Sequence, residues 1–274
     1  MHILTEGSGS PAVVIVPALA GNVLEWVRVQ RAASAETQIV VYDRAGVGWS
    51  DPPSGPLTID GMADDLHALL DAACIRTPVI IAGHSLGGAV ARRFQARYPG
   101  EVCGMLLVDS SHEDQSRRLG PRYGTRYDLT RAARRQARIL GARRLAAHLG
   151  LVRGLDAASL SRETVPEYAS AAKALSLSTM QRRTVVREML LLAWPQGQPQ
   201  SLGSLPLTVL SAGSPHRRQW PAWPAWQELQ DELAGLSSDS VYLAALNGDH
   251  NVHLDDPEIV VQTIGDLVRR CRWA

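Results

Sequence analysis

The sequence predicts an α/β protein: a mostly parallel central sheet flanked by helices and interrupted by a helical insertion. Three observations carry this. Over the first hundred residues, short continuous runs of β-branched and aliphatic residues alternate with segments of helical periodicity, and continuous apolar strands of this kind belong to a parallel sheet covered on both faces. From residue 112 to about 195 strand-like runs stop and Arg-rich helical segments replace them. Beyond residue 205 the alternation resumes, so one sheet is interrupted by an insertion, and no internal repeat is present.

Each element follows from its local pattern. "PAVVIV" (11–16) and "TQIVVYD" (37–43) are the first two strands. "LTIDGMADDLHALLDAA" (57–73) is a helix: Ile59, Met62, Leu66, Leu69 and Leu70 share one face, and Thr58 with Asp60 and Gly61 forms its start. "PVIIAG" (78–83) is a third strand, followed by small residues and the helical "AVARRFQARYPG", and "VCGMLLVD" (102–109) is a fourth. Inside the insertion the clearest helices are "LTRAARRQARILGARRLAAHLG" and "STMQRRTVVREMLLLAW". Pro195 and "PQGQPQSLGS" form a linker back to the core. "LPLTVLSAG" (205–213) and "SVYLAAL" (240–246) are the last strands. "PEIVVQTIGDLVRRC" (257–271) is the closing helix, with Pro257 in its first turn. The expected division is a core of residues 1–111 and 196–274 and an inserted unit of residues 112–195.

Composition narrows the class. The 274 residues suffice for one large domain, and hydrophobic and charged contents of 45% and 20% are ordinary for a globular protein. No apolar run approaches the ~18 residues of a membrane helix, and "MHILTEGSGS" lacks the basic-then-apolar pattern of a secretory signal, so no membrane association is expected. Cys74, Cys103 and Cys271 are far apart and form no CxxC pair; buried free thiols, no metal site, no cofactor and a cytoplasmic setting are the expectations. The net charge of +1 conceals an asymmetry: residues 112–195 carry +9 and the remainder −8. The basic stretch has no nucleic-acid-binding motif.

The chemistry concentrates in "GHSLGG" (83–88), which matches G-x-S-x-G between an apolar strand and an amphipathic helix. A sharp turn there raises a serine hydroxyl above the sheet, and its neighbours must be small to permit it. A phosphate-binding loop would need a following Lys or G-x-G-x-x-G spacing, and neither is present. Ser85 is therefore the candidate nucleophile. It needs a base, and the order Ser, acid, His goes with this turn. Of eight histidines, only His216, His250 and His253 lie late enough. His250 comes first in "LNGDHNVHLDDPE", nearest the strand end, and is preferred over His253.

With these residues placed, the chain resembles the α/β-hydrolase superfamily over nearly its whole length. The matching pieces are "VVIVPALAGNVLEW", "VVYDRAGVGWSD", "GHSLGGAVARRFQARYP", "GMLLVDSSHEDQ" and "GDHNVHLDDPE". The resemblance implies a Ser-His-acid triad and a cap between that superfamily's strands six and seven, where residues 112–195 lie. It also implies an acid, commonly an Asp after strand seven, but "LSAGSPHRRQWPAW" holds no carboxylate. The superfamily's variant with the acid after strand six points to Asp109, at the end of "GMLLVD", with Glu113 and Asp114 as fallbacks. The oxyanion donors implied are the backbone N–H groups of Leu86 and Leu19; the latter follows Pro17-Ala18, where many members carry His-Gly.

The expected activity is that of a serine hydrolase acting on a small-molecule ester, thioester or lactone, with a biosynthetic lyase or cyclase on the same scaffold as the alternative. A dehalogenase or epoxide hydrolase would carry Asp at the elbow. Substrate selection is expected in the insertion, whose charge would either form a solvated Arg face on amphipathic helices or suit an anionic or carrier-bound acyl group. Trp220 and Trp223 in "WPAWPAW", together with His84, are candidate pocket residues.

Overall fold

Seven short strands form one sheet in the computed structural model, which describes residues 1–119, 165–176, 178–192, 199–214, 218 and 220–273. They are β1 (Ile3–Glu6), β2 (Val13–Val16), β3 (Ile39–Tyr42), β4 (Val79–His84), β5 (Val102–Val108), β6 (Leu207–Ala212) and β7 (Ser240–Ala245). Their order is β1-β3-β2-β4-β5-β6-β7, with β1 antiparallel to β3 and every other pair parallel. Strands β2, β3, β4 and β6 are buried at every residue, as their unbroken apolar runs require beneath helices on both faces.

The helices are α1 (Val27–Ala33), α2 (Ile59–Ala72), α3 (Leu86–Arg97), α4 (Gln115–Arg118), α5 (Ala169–Ser176), α6 (Thr179–Leu192), α7 (Trp223–Ala234), α8 (Val252–Asp255) and α9 (Pro257–Trp273). One face of the sheet packs under α2, α3 and α7 through Leu66, Leu70, Phe94 and Leu233. The other packs under α1 and α9 through Val27, Val29, Ile264, Leu267 and Val268. Thr58 caps α2 by accepting the Gly61 N–H at 2.9 Å, and the predicted apolar stripe is its buried face.

The chain runs outward from β2 to β3 and then returns across β2 to β4. Strands β2 and β4 are therefore neighbours whose following loops leave the sheet at the same end, the place where open α/β sheets form their ligand crevice. The loop after β2 carries Leu19; the turn after β4 carries Ser85.

Several elements lie outside the sequence reading, among them β1, α1 and α7. β1 is a four-residue edge strand with two exposed positions, too short to show a period. α1 is only seven residues long. α7 begins inside "WPAWPAW", taken as loop, although Pro224 in its first turn and buried Trp226, Leu229, Gln230 and Leu233 at helical spacing are the signal. The thiols also differ from expectation: Cys74, just past the end of α2, is exposed, and Cys103 and Cys271 are half-buried where α9 meets the start of β5, with Cys271 Sγ 3.1 Å from the Cys103 carbonyl.

The described residues of 112–195 form α4, α5, α6 and a 3-10 turn at Pro166–Tyr168, and include no strand. They lie in the chain between β5 and β6 of this sheet. The helix expected over 129–150 lies outside the described residues, as does His216. The expected linker is pinned where it is described: the Leu202 N–H donates to the Leu236 carbonyl at 2.7 Å. Among the described residues, no helix is long and apolar enough to cross a membrane.

Candidate active site

Ser85 sits between the end of β4 and the first residue of α3 at φ 50°, ψ −118°. A residue with a Cβ adopts that backbone only where its surroundings impose it. Here the Ser85 N–H donates to the Val108 carbonyl at 3.1 Å, and the Ser85 carbonyl accepts from the N–H groups of Gly88 at 3.0 Å and Ser111 at 2.9 Å. Gly87 makes the turn sterically possible: a Cβ there would stand 2.0 Å from the Val16 carbonyl oxygen. The loop after β2 thus lies directly against the start of α3, which brings the segment containing Leu19 beside Leu86.

Asp109 follows β5 at φ 36° and is fully buried. The turn after it is clamped to α3 by Arg92, itself buried, which donates to Glu113 Oε1 and Ser110 Oγ at 2.9 Å each and to the Ser111 carbonyl at 2.8 Å. The Gln230 amide donates to the Ser110 carbonyl at 2.8 Å. Glu113 is thereby committed to Arg92, while Asp114 pairs with Arg117, whose Nε donates at 2.8 Å. The Asp109 carboxylate divides its oxygens. Oδ2 lies 2.6 Å from His250 Nδ1, and Oδ1 accepts from the Ala212 N–H at 3.1 Å and the Trp226 indole N–H at 2.8 Å.

His250 Nε2 lies 3.1 Å from Ser85 Oγ. A carboxylate only accepts, so Nδ1 carries the proton and Nε2 presents a lone pair to the serine hydroxyl. The backbone of this loop is held as well: the Asp249 carboxylate accepts the His250 N–H at 2.8 Å, and the His250 carbonyl lies 2.8 Å from His84 Nε2. Burial, then the nearby His250, pushes His84 down to about 3, so its ring is neutral and Nε2 donates to that carbonyl. His253, the other candidate base, instead stacks on Trp26 at 4.1 Å in the core, where burial holds it well below the usual histidine range.

Two pocket expectations read differently in three dimensions. His84 is fully buried, because its ring is the brace for the His250 carbonyl. Trp220 and Trp223 pack around a small cluster formed by Leu119, Trp226 and Leu229. Trp226 is the indole that reaches the acid, with its ring edge-on to His250 at 6.3 Å. The sequence reading missed it, along with Arg44 and Glu188, which pair beneath the loop containing Leu19. Helical spacing after Pro224 could have singled out Trp226 as inward-facing; nothing local pairs residues 144 positions apart.

Other proteins resemble this chain in sequence or in fold. YqjL of Bacillus subtilis, an uncharacterised protein, is 25% identical over 96% of this chain and 85% of its own length. Two further curated relatives are longer, and the chain spans less than half of each. Among solved structures, a thermophilic esterase from Thermogutta terrifontis superposes with a TM-score of 0.69 at 22% identity, covering 98% of this chain and 93% of that one. The enol-lactonase from Burkholderia xenovorans LB400 gives 0.71 at 21% identity, over 98% and 96%. The sequence profile of the alpha/beta hydrolase fold matches residues 11–257, from the second strand to the start of the closing helix. With a serine at the strand-to-helix turn of a mostly parallel seven-stranded sheet, the chain belongs to the alpha/beta hydrolase fold family.

Proposed function

We propose that the protein is a serine hydrolase that cleaves an ester, thioester or lactone of a small molecule, with Ser85 as nucleophile, His250 as base and Asp109 as the acid. The observation that carries this reading is the unbroken hydrogen-bond line from Ser85 Oγ to His250 Nε2 at 3.1 Å and from His250 Nδ1 to Asp109 Oδ2 at 2.6 Å. An esterase and a lactonase among the structurally similar proteins agree with it.

Ser85 Oγ attacks the acyl carbon as His250 Nε2 takes its proton, and Asp109 stabilises the resulting imidazolium. The negative charge on the former carbonyl oxygen falls to the N–H groups of Leu86 and Leu19. Leu86 is the first residue of α3, so its N–H has no partner within the helix and points along the positive end of the dipole. Collapse of the tetrahedral species breaks the bond to the leaving oxygen or sulfur, which receives the proton from His250 Nε2. Water then attacks the acyl-serine, His250 takes a proton from it, and the acid leaves as Ser85 recovers its own. Residues 112–195 are the cap in this reading, and their +9 charge favours an anionic or carrier-bound acyl substrate.

A fluorophosphonate probe should label the wild type and not Ser85→Ala, and p-nitrophenyl butyrate hydrolysis should vanish with it. Asp109→Asn should lower kcat by about 10⁴-fold, because the amide favours the wrong imidazole tautomer. Wild type that resists the probe would reject the reading; full activity in Asp109→Asn would reject the acid. Labelling without turnover of any ester would favour a lyase or cyclase.

A further inference from the structure

Two buried charges beside the loop after β2 take no part in that proton path. Arg44, just after β3, and Glu188, on α6, are both buried, and Arg44 Nε donates to Glu188 Oε1 at 2.9 Å. A buried ion pair persists only where its remaining donors and acceptors are also satisfied. Here the loop after β2 satisfies them. The two terminal nitrogens of Arg44 donate to the carbonyl oxygens of Pro17 and Ala18, the latter at 2.6 Å. The second oxygen of Glu188 accepts the N–H of Ala20 at 2.7 Å. Gln181, two turns earlier on the same face of α6, reaches the Ala20 carbonyl at 3.4 Å.

These contacts bracket Leu19. In a trans peptide the C=O and the following N–H point in opposite directions within one plane. Arg44 grips the Ala18 carbonyl, so the Leu19 N–H of that same peptide must point away from Arg44. Glu188 grips the Ala20 N–H and so orients the next plane. Both peptides of Leu19 are held from outside the loop. Ala20 itself stands at φ 60°, a conformation a residue with a Cβ keeps only under constraint. Helix α6 has no slack from which to act: a Cβ on Gly46 would stand 2.3 Å from Thr184 Oγ1, so the helix rests directly on the turn after β3.

We propose that α6 is the positioning element of the oxyanion hole. Glu188, aided by Gln181 and acting partly through Arg44, fixes the peptide planes on either side of Leu19 and so aims its N–H at the developing charge. This is the support that "PALAG" receives where many relatives carry His-Gly. It couples the inserted segment to the rate of the chemical step as well as to substrate choice. The oxyanion role of Leu19 rests on the serine-hydrolase reading above; the grip of α6 on the loop does not.

The test uses the full chain and Glu188→Ala, with three readouts. kcat for p-nitrophenyl butyrate should fall by about 10²-fold with KM changed by less than about threefold. Affinity for a trifluoromethyl ketone, which forms an oxyanion on Ser85, should fall with kcat. Amide exchange in the peptide spanning residues 17–25 should accelerate. A folded Glu188→Ala protein with kcat within twofold of wild type overturns the catalytic part, and unchanged exchange overturns the grip. Should that variant lack a cooperative melt, Glu188→Gln, which keeps an oxygen for Ala20 but not the charge for Arg44, and Gln181→Ala replace it. There a kcat loss of about tenfold in the first, with faster exchange in both, is expected, and wild-type values overturn the proposal. If wild type never reacts with the fluorophosphonate probe, the hydrolase reading falls while the exchange comparison still decides the grip.

Discussion

The Trp226 indole N–H meets Asp109 Oδ1 at 2.8 Å, and the Ala212 N–H meets the same oxygen at 3.1 Å, leaving Oδ2 to His250. Three donors among the described residues, on a carboxylate with no exposed surface, offset the loss of its hydration and fix its plane relative to the imidazole. Trp226→Phe keeps most of the ring packing and removes one donor. A hydrogen bond to a charged group contributes about 1.5–3 kcal/mol, so kcat/KM should drop roughly 10- to 100-fold. Steady-state kinetics on folded protein check it, and an unchanged kcat/KM would show that the indole only fills space. At this scale Ser85 is legible because the small residues around it are local. Asp109 is nominated because "LSAGSPHRRQW" lacks a carboxylate. Trp226 is not legible in that way, since its partner is 117 residues away in the chain.

Among the elements, the strand–turn–helix from β4 to α3 carries the tightest steric demand. Gly87 packs against the Val16 and Pro17 carbonyl oxygens, backbone atoms that cannot swing aside. Gly87→Ala must push the loop after β2 away from α3, with a cost in stability of about 1–3 kcal/mol by analogy with overpacked cores. Activity should fall further than stability does, because Leu19 moves with the loop. Thermal melts set beside kcat measure both, and a variant losing stability alone would separate the loop from the chemistry. The strands buried on both faces announce themselves as apolar runs, and α2 and α9 as periodic stripes. The edge strand β1 and the short α1 do not, since four and seven residues hold too little pattern to separate from loop.

For the whole molecule, acid is the condition to which the core is most exposed. His84 and His253 are both buried behind His250, and burial depresses both, His84 to about 3. In the unfolded chain each titrates near pH 6.5. Below that pH the unfolded state binds protons that the folded state refuses, so stability is lost as pH falls from about 6.5 toward the folded values. The slope approaches about 1.4 kcal/mol per pH unit for each histidine. Urea unfolding at pH 7, 6 and 5 should therefore show wild type losing stability more steeply than His253→Phe by about that amount per unit. Equal slopes would mean that His253 binds its proton in the fold as readily as in the unfolded chain.

Read alone, the sequence determines the alternation that builds the sheet, the serine at the turn, and the place where a helical segment interrupts the core. All three depend on patterns within a few residues, which short-range sterics and period-matched burial impose. Only the tertiary structure decides which of His250 and His253 faces Ser85, which tryptophan reaches Asp109, and that α6 grips the loop after β2. Those choices are made by single side chains meeting across 100 or more residues. No local propensity encodes such meetings, and burial in a shared interior makes each of them specific.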